Sequence, residues 1–463
     1  MGDHDTDILI IGAGMAGILT AHFLSAKGID CAVIDSGPVA GGITSNTTAK
    51  ITSQHGPIYS RLTRSAGKAK ARQYAKANEQ AIAAYRDIIS SLDIECDFHD
   101  VPSILYAIDD TKLIEKEYKA AKAAGIDAHL RTDTELPFPI TAAVEFPGQA
   151  EFHPIKFINS LVKINRFRVY IGTKALKAEN NRVITDKGTI HAKKIIIATH
   201  YPFINRPGYY FMRMHQERSY VLALENAGTL NSCYLGVDGG KYSFRSYGDK
   251  IIMGGCNHRT GENTSGGKFQ KLEKMSKKFY PTSTITCRWS AQDCVTGDGI
   301  PYIGTFSRKT KDMFVATGFN KWGMTSSMVS AMILSDLIAD KKPEFTMFSP
   351  QRINHGITLK SFFTNGYKSA LGLGTSLFQL PEKKDRQIPD GEGDIIQRGD
   401  SKVGYFRDGS GTGHLVSAFC SHLGCQLSWN KDEKTWDCPC HGSQFDSAGS
   451  VITGPALKDI SKE

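Results

Sequence analysis

The stretch that decides the fold is Asp7-Ile8-Leu9-Ile10-Ile11-Gly12-Ala13-Gly14-Met15-Ala16-Gly17, together with Cys31-Ala32-Val33-Ile34-Asp35. Residues 7–12 read as a buried parallel strand, because the apolar run is short, β-branched and closed by glycine. A helical pattern follows to about Ala26, and the second strand ends at Asp35. An isolated GxGxxG is a weak signal. One that follows a strand, opens a helix and is answered by an acid at the end of the next strand marks a dinucleotide-binding unit. Gly12 permits the tight turn, Gly14 lets the backbone approach a pyrophosphate, and Gly17 lets the helix pack close to the sheet. The helix N-terminus then faces the phosphates, and Asp35, with Ser36 beside it, is placed to bind an adenosine ribose.

Outward from this unit, Tyr74, Ala81, Ile82, Tyr85, Ile88 and Leu92 recur at helical spacing and predict a scaffold helix over about 68–92. Between about 205 and 293 the pattern changes to strands, among them Ser219–Leu224, Tyr242–Arg245 and Lys250–Met253, which predict an antiparallel sheet over the cofactor. Residues 341–385 read as a linker, helical around Thr358 to Phe378, and from about Gln387 a small β module begins. The expected fold is α/β plus all-β: a doubly wound domain with an antiparallel substrate sheet (1–345), a helical linker (346–385) and a small β domain (386–463). A length of 463 residues suits such an assembly.

The net charge of +9 is mild for this length, and no basic run makes a nucleic-acid footprint. No apolar run reaches the length of a spanning helix, and the first is preceded by acidic residues, unlike a secretory signal. A cytoplasmic protein is expected. Of ten cysteines, six are scattered between Cys31 and Cys294, as reduced thiols are, whereas Cys420, Cys425, Cys438 and Cys440 crowd together as a site.

Three later segments choose between a nicotinamide and a flavin. They are the polar loop from Gly41 through Gly42, Thr44, Thr48, Ala49 and Lys50 to Gly56, the buried strand Lys194-Ile195-Ile196-Ile197-Ala198-Thr199-His200, and Asp298-Gly299-Ile300-Pro301-Tyr302-Ile303-Gly304. After the last, Phe314 to Gly318 leads into Gly323-Met324-Thr325 and a helix to Leu337. Together they resemble the D-amino acid oxidase and glycine oxidase superfamily of FAD-dependent oxidoreductases, over about the first 340 residues. The resemblance implies FAD extended across the first domain, the Thr44–Lys50 loop near the isoalloxazine, and the helix opened by Gly323 near its pyrimidine end. A single phosphate-binding fingerprint argues against a second, pyridine-nucleotide site.

Cys420-Ser421-His422 and Cys438-Pro439-Cys440-His441 offer two thiolates and two imidazoles. Such a set suits either a tetrahedral zinc or a cluster with Cys on one iron and His on the other. The Gly/Pro-shaped loops, the matching extra cysteines and Gly442-Ser443-Gln444-Phe445-Asp446 make the segment resemble a Rieske [2Fe–2S] domain. That resemblance implies Cys420 and Cys438 on one iron, His422 and His441 on the other, a Cys425–Cys440 disulfide, and a Ser443 hydrogen bond to a cluster sulfur.

A chain with both groups converts a two-electron event into single electrons. The expected partners are a small-molecule substrate, amine or amino-acid-like, and a one-electron carrier protein or quinone-like acceptor. Lys50 and His55 are candidate groups beside the flavin, while Arg218, Tyr220, Arg245 and His258 are candidates for binding a carboxylate or orienting an amine. Trp289 to Asp293 is a candidate pocket lining. The competing classes are a reductase taking electrons at the cluster, and a redox sensor without turnover.

Overall fold

The computed structural model describes residues 3–165, 167–352 and 388–461. Its first sheet has eight strands, with Tyr302–Ser307, Thr310–Thr317, Gly188–Ile197, His4–Ile11, Cys31–Ile34, Arg168–Tyr170 in order; pairing along this path is parallel except at the Tyr302–Ser307 hairpin edge, and Ala175–Glu179 and Arg182–Thr185 add antiparallel pairs beside Gly188–Ile197. Ile10 sits in register with Val33 on one side and Ile196 on the other. Both faces are covered, which is why this strand lacks polar alternation. Ile8 and Ile10 pack with the helices Met15–Ala26 and Gly323–Ile338, whereas Leu9 and Ile11 meet Met214, Tyr210 and Phe306.

The scaffold helix spans Lys68–Ser91 and buries Tyr74, Ala81, Ile82, Tyr85 and Ile88. Tyr85 donates its hydroxyl to the Met324 carbonyl at 2.9 Å, so this helix holds the start of another in place.

The second sheet is larger than the 205–293 segment. Its order is Thr284–Thr296, Met214–Glu225, Lys250–Arg259, Ser243–Tyr247, Cys233–Gly236, His99–Ala107, Ala142–Glu151, Lys50–Ile51. The last three come from the first half of the chain, and Cys233–Gly236 pairs parallel to His99–Ala107. The antiparallel sheet expected from residues 205–293 is thus extended by strands from the first half of the chain. Local patterning identified the strands but carries no information about partners far away in sequence.

The C-terminal module is two antiparallel sheets, Glu392–Arg398, Ser401–Arg407, Gly413–Ser417 and Ser428–Asn430, Thr435–Asp437, Gln444–Phe445, Val451–Thr453. The helix expected around Thr358 to Phe378 lies outside the described residues. Trp436 is fully buried, edge-on to Trp429 at 4.9 Å. Truncating it leaves a cavity in a core too small to absorb one, so Trp436→Ala is expected to cost about 3–5 kcal/mol, read as a shifted urea midpoint of the module.

Candidate functional site

A cavity of about 780 Å³ is lined from both large sheets. Gly12, Gly14, Asp35, Ser36 and Thr199 line it at the end of the parallel strands, and Gly42, Thr44, Thr48 and Lys50 line it from the following loop. Gly12 has φ +114°, and an added Cβ there would strike the Ala198 carbonyl. Gly14 carries no side chain into the space, and Thr44 Oγ1 accepts from the Met15 amide at 3.2 Å. Asp35 accepts from the Ala13 and Gly37 amides at 2.7 and 2.8 Å, which fixes its carboxylate at the cavity wall.

Helix Met15–Ala26 starts at Gly14 and helix Gly323–Ile338 at Trp322, and neither start has a side-chain cap. Gly14, Met15, Gly323 and Met324 all line the cavity. Two helix N-termini thus face one space, which suits a group bearing a diphosphate at one end and a ring that gains negative charge at the other. FAD is such a group.

Gly17, Ala49, Asp298, Gly318 and Thr325 do not line the cavity. Gly17 serves packing, since a Cβ there would strike the Gly12 carbonyl. Asp298 forms a two-pronged pair with Arg352 at 2.8 and 2.9 Å and tethers the segment after the second helix. Gly318, at φ +72°, makes room for Thr296 and Met214. Thr325 donates to the Thr52 carbonyl at 3.1 Å.

His55 is also behind the wall. Its ring meets the Tyr74 hydroxyl at 2.5 Å, the Thr52 carbonyl at 2.7 Å and Thr325 Oγ1 at 3.0 Å, and stacks on Trp322 at 4.7 Å. Burial pushes its pKa down to about 3. With both nitrogens engaged it is a neutral strut under Trp322, and the expectation of a base is corrected.

Lys50 lines the cavity, and burial, reinforced by the nearby Arg245 cation, lowers its pKa to about 8. Arg245 itself is 3.4 Å from Glu151, behind Lys50. Asp293 lines the same cavity, and burial raises its carboxyl to about 6. Lys321 pairs with Glu217 at 2.9 Å at the wall. A lysine held low and a carboxyl held high are the pattern of groups poised for proton exchange near neutrality.

Arg218 and His258 point the other way, and Tyr220 lines the cavity while turning its hydroxyl from it. In the strand Met214–Glu225 alternate residues face opposite sides. Arg218 lies 2.9 Å from Glu433 and 3.6 Å from Asp437 of the C-terminal module, almost fully buried. His258 Nδ1 bonds the Arg259 carbonyl and its Nε2 the Tyr220 hydroxyl, which also accepts from Asn263; Asn263 donates in turn to Asp432. The substrate roles expected for Arg218, Tyr220 and His258 are corrected: these groups hold the module. Strand alternation alone could not tell which face was which, because polar residues stand on both.

In that module Cys425 and Cys440 are joined as a disulfide, Cα to Cα 6.5 Å. The sulfurs of Cys425, Cys438 and Cys440 lie within 4.8 Å of one another, and the disulfide leaves Cys438 as the thiol of that trio. Cys420 is hydrogen-bonded to Cys438 and to Ser443. His422 and His441 stand with ring centroids 5.1 Å apart, and Nδ1 of each is buried with no hydrogen-bond partner. Burial keeps both imidazoles neutral, at about 4 and 3. Buried, unprotonated nitrogens without partners beside two thiols are what a metal cluster requires. His422 Nε2 meets Asn205 Oδ1 at 2.7 Å, which leaves Nδ1 as its ligating atom.

Three groups of wall residues escaped sequence reading: Thr173–Ala175, Lys241 with Ser243, and the module's own Val451–Leu457. Lys174 donates to the Leu457 carbonyl at 2.7 Å. They reach the cavity only through tertiary contact, which no local spacing encodes.

Fold and site define a FAD-binding oxidoreductase body that carries an iron–sulfur module. The chain belongs to the FAD dependent oxidoreductase family, whose model matches residues 7–337, and it carries a Rieske [2Fe–2S] domain, matched over 379–462. It is 35% identical over 474 residues to the Rieske-named protein YhfW of Bacillus subtilis, covering 99% of this chain and 93% of that one. Glycine oxidase from Geobacillus kaustophilus shares the fold of the body, with a TM-score of 0.65 at 18% identity over 76% of this chain and 99% of that one. L-proline dehydrogenase from P. horikoshii does so with 0.64 at 17%, over the same shares. The family binds FAD and the domain a [2Fe–2S] cluster. No helix among the described residues is long and apolar enough to cross a membrane.

A carboxyl raised to about 6 favours the fold most when protonated, so its contribution is present at low pH and lost as pH rises through 6. Asp293→Asn is therefore expected to be more stable than the parent at pH 8, by about 3 kcal/mol, with the gap closing as pH falls from 6 towards 4; urea melts at pH 8 and pH 4 check this.

Proposed function

We propose that the chain oxidises an amine or amino-acid-like substrate at FAD and delivers the electrons singly, through the cluster, to an external one-electron carrier or quinone-like acceptor in the cytoplasm. The observation that carries this reading is the back-to-back arrangement: the cavity and the Cys/His site lie on opposite faces of the two strands Met214–Glu225 and Thr284–Thr296. The names of the glycine oxidase and L-proline dehydrogenase neighbours support a C–N substrate. In this reading residues 1–345 form the oxidoreductase body, 346–385 the linker and 386–463 the cluster domain.

Bound FAD supplies two-electron acceptance and the [2Fe–2S] cluster one-electron relay. The start of helix Met15–Ala26 at Gly14 would hold the diphosphate, Asp35 the ribose, and the helix start at Gly323 and Met324 the pyrimidine edge. Lys50 carries a proton near the ring, and Asp293 takes one from the substrate nitrogen as the C–H bond breaks. The substrate loses a hydride and a proton to become an imine, and two carriers each leave with one electron. Cys420 and Cys438 would hold one iron of the cluster and His422 and His441 the other, and Ser443 would donate to a cluster sulfur.

Anaerobic mixing with a panel of amines and amino acids is expected to bleach the flavin with one compound and then raise an axial EPR signal. Reduction of cluster before flavin, by a reduced carrier alone, would replace this reading with the reductase one. His422→Ala and Cys438→Ser are expected to abolish the EPR signal while flavin content stays at the parent level; iron analysis and absorbance check it.

A further inference from the structure

Gln216 and Gln292 are both buried, on adjacent strands, and face the module. Gln292 Oε1 accepts from Arg218 Nη2 at 2.8 Å and from Thr260 Oγ1 at 2.9 Å. Arginine only donates, so this amide can turn only one way, and its Nε2 donates to the Gly442 carbonyl at 2.8 Å and to Gln216 Oε1 at 2.5 Å. Gln216 Nε2 then donates to the His441 carbonyl at 2.7 Å and the Gly454 carbonyl at 3.3 Å. The chain of donors is determined from one end to the other.

Its two ends matter. His441 and Gly442 belong to the loop that carries a candidate cluster histidine, and Gly454 follows the strand Val451–Thr453 in the segment 451–457 that lines the cavity. On the same two strands, Ala291 and Asp293, which flank Gln292, and Ser219 line that cavity too. Gly442, at φ +80°, allows the approach, because an added Cβ would lie 2.7–2.9 Å from three Gln216 side-chain carbons.

We propose that the Gln216–Gln292 amide pair is the coupling element between the two redox sites: a positioning pair that clamps the His441 loop to the back of the cavity sheet and provides the bonded route between them. The inference rests on the proposed FAD-to-cluster route. Two electrons leave the flavin one at a time, each reducing one cluster iron from ferric to ferrous, with two protons released to solvent. A one-electron carrier reoxidises the cluster between the two passes.

The test uses the full-length holoprotein, with the flavin reduced by a light flash and a sacrificial donor, so that no organic substrate is needed. Cluster reduction is followed by absorbance, and the EPR g-values of the cluster are recorded. Gln216→Met and Gln292→Met are expected to slow flavin-to-cluster transfer about 10-fold or more and to shift the g-values, with parent FAD and iron content. Ser290→Ala, which breaks the Ser290–Glu433 contact of the same interface, is expected to leave rate and g-values at parent level. Equal slowing by Ser290→Ala, parent rates in both glutamine variants, or loss of FAD or iron from both would overturn the pair's assignment. A parent protein showing no flavin-to-cluster transfer would instead overturn the route itself.

Discussion

Two strands with polar groups on both faces, buried on one of them, constrain everything else in this protein. Met214–Glu225 and Thr284–Thr296 present Glu217, Ser219 and Asp293 to one side and Gln216, Arg218, Ser290 and Gln292 to the other. An amide or guanidinium taken out of water costs several kcal/mol unless it is bonded. On the back face the bonds come from Glu433, Asp437 and the carbonyls of His441 and Gly442. The iron–sulfur module is therefore part of how the body satisfies its own polar groups. On the front face the corresponding space is the dinucleotide cavity.

The cavity follows from the parallel sheet in an equally local way. Strands without polar alternation demand cover on both sides, helices supply it, and each helix begins where its strand ends. Two such beginnings, at Gly14 and Trp322, fall on one space without side-chain caps. Tyr85, from a helix remote in sequence, fixes the second of them through the Met324 carbonyl.

Much of this was legible in the residues. The glycine turn, the strand ending in Asp35 and the two Cys/His loops have fixed spacings because the chemistry is local, and they pointed to both cofactors. What could not be read was facing. Arg218, Tyr220 and His258 resemble substrate ligands on a one-sided sheet, and only the docking of residues beyond 388 shows that they turn, wholly or by their hydroxyl, away from the cavity. His55 misled for a similar reason: a polar residue in the flavin loop was engaged by Tyr74 and Thr52, groups whose proximity no spacing encodes. Asp293 was reached only as part of a segment, since its raised carboxyl depends on burial.

The buried clasp around Arg218 also bears on how the two redox sites meet. Separate carriers find each other by diffusion, and their encounters depend on concentration and on the salt that screens their charges. Here the guanidinium is only 3% exposed and its carboxylates belong to the same polypeptide. On the proposed route, passage between the sites is thereby a unimolecular event, indifferent to dilution and nearly indifferent to ionic strength, and the laws of collision apply only to what enters and leaves the protein.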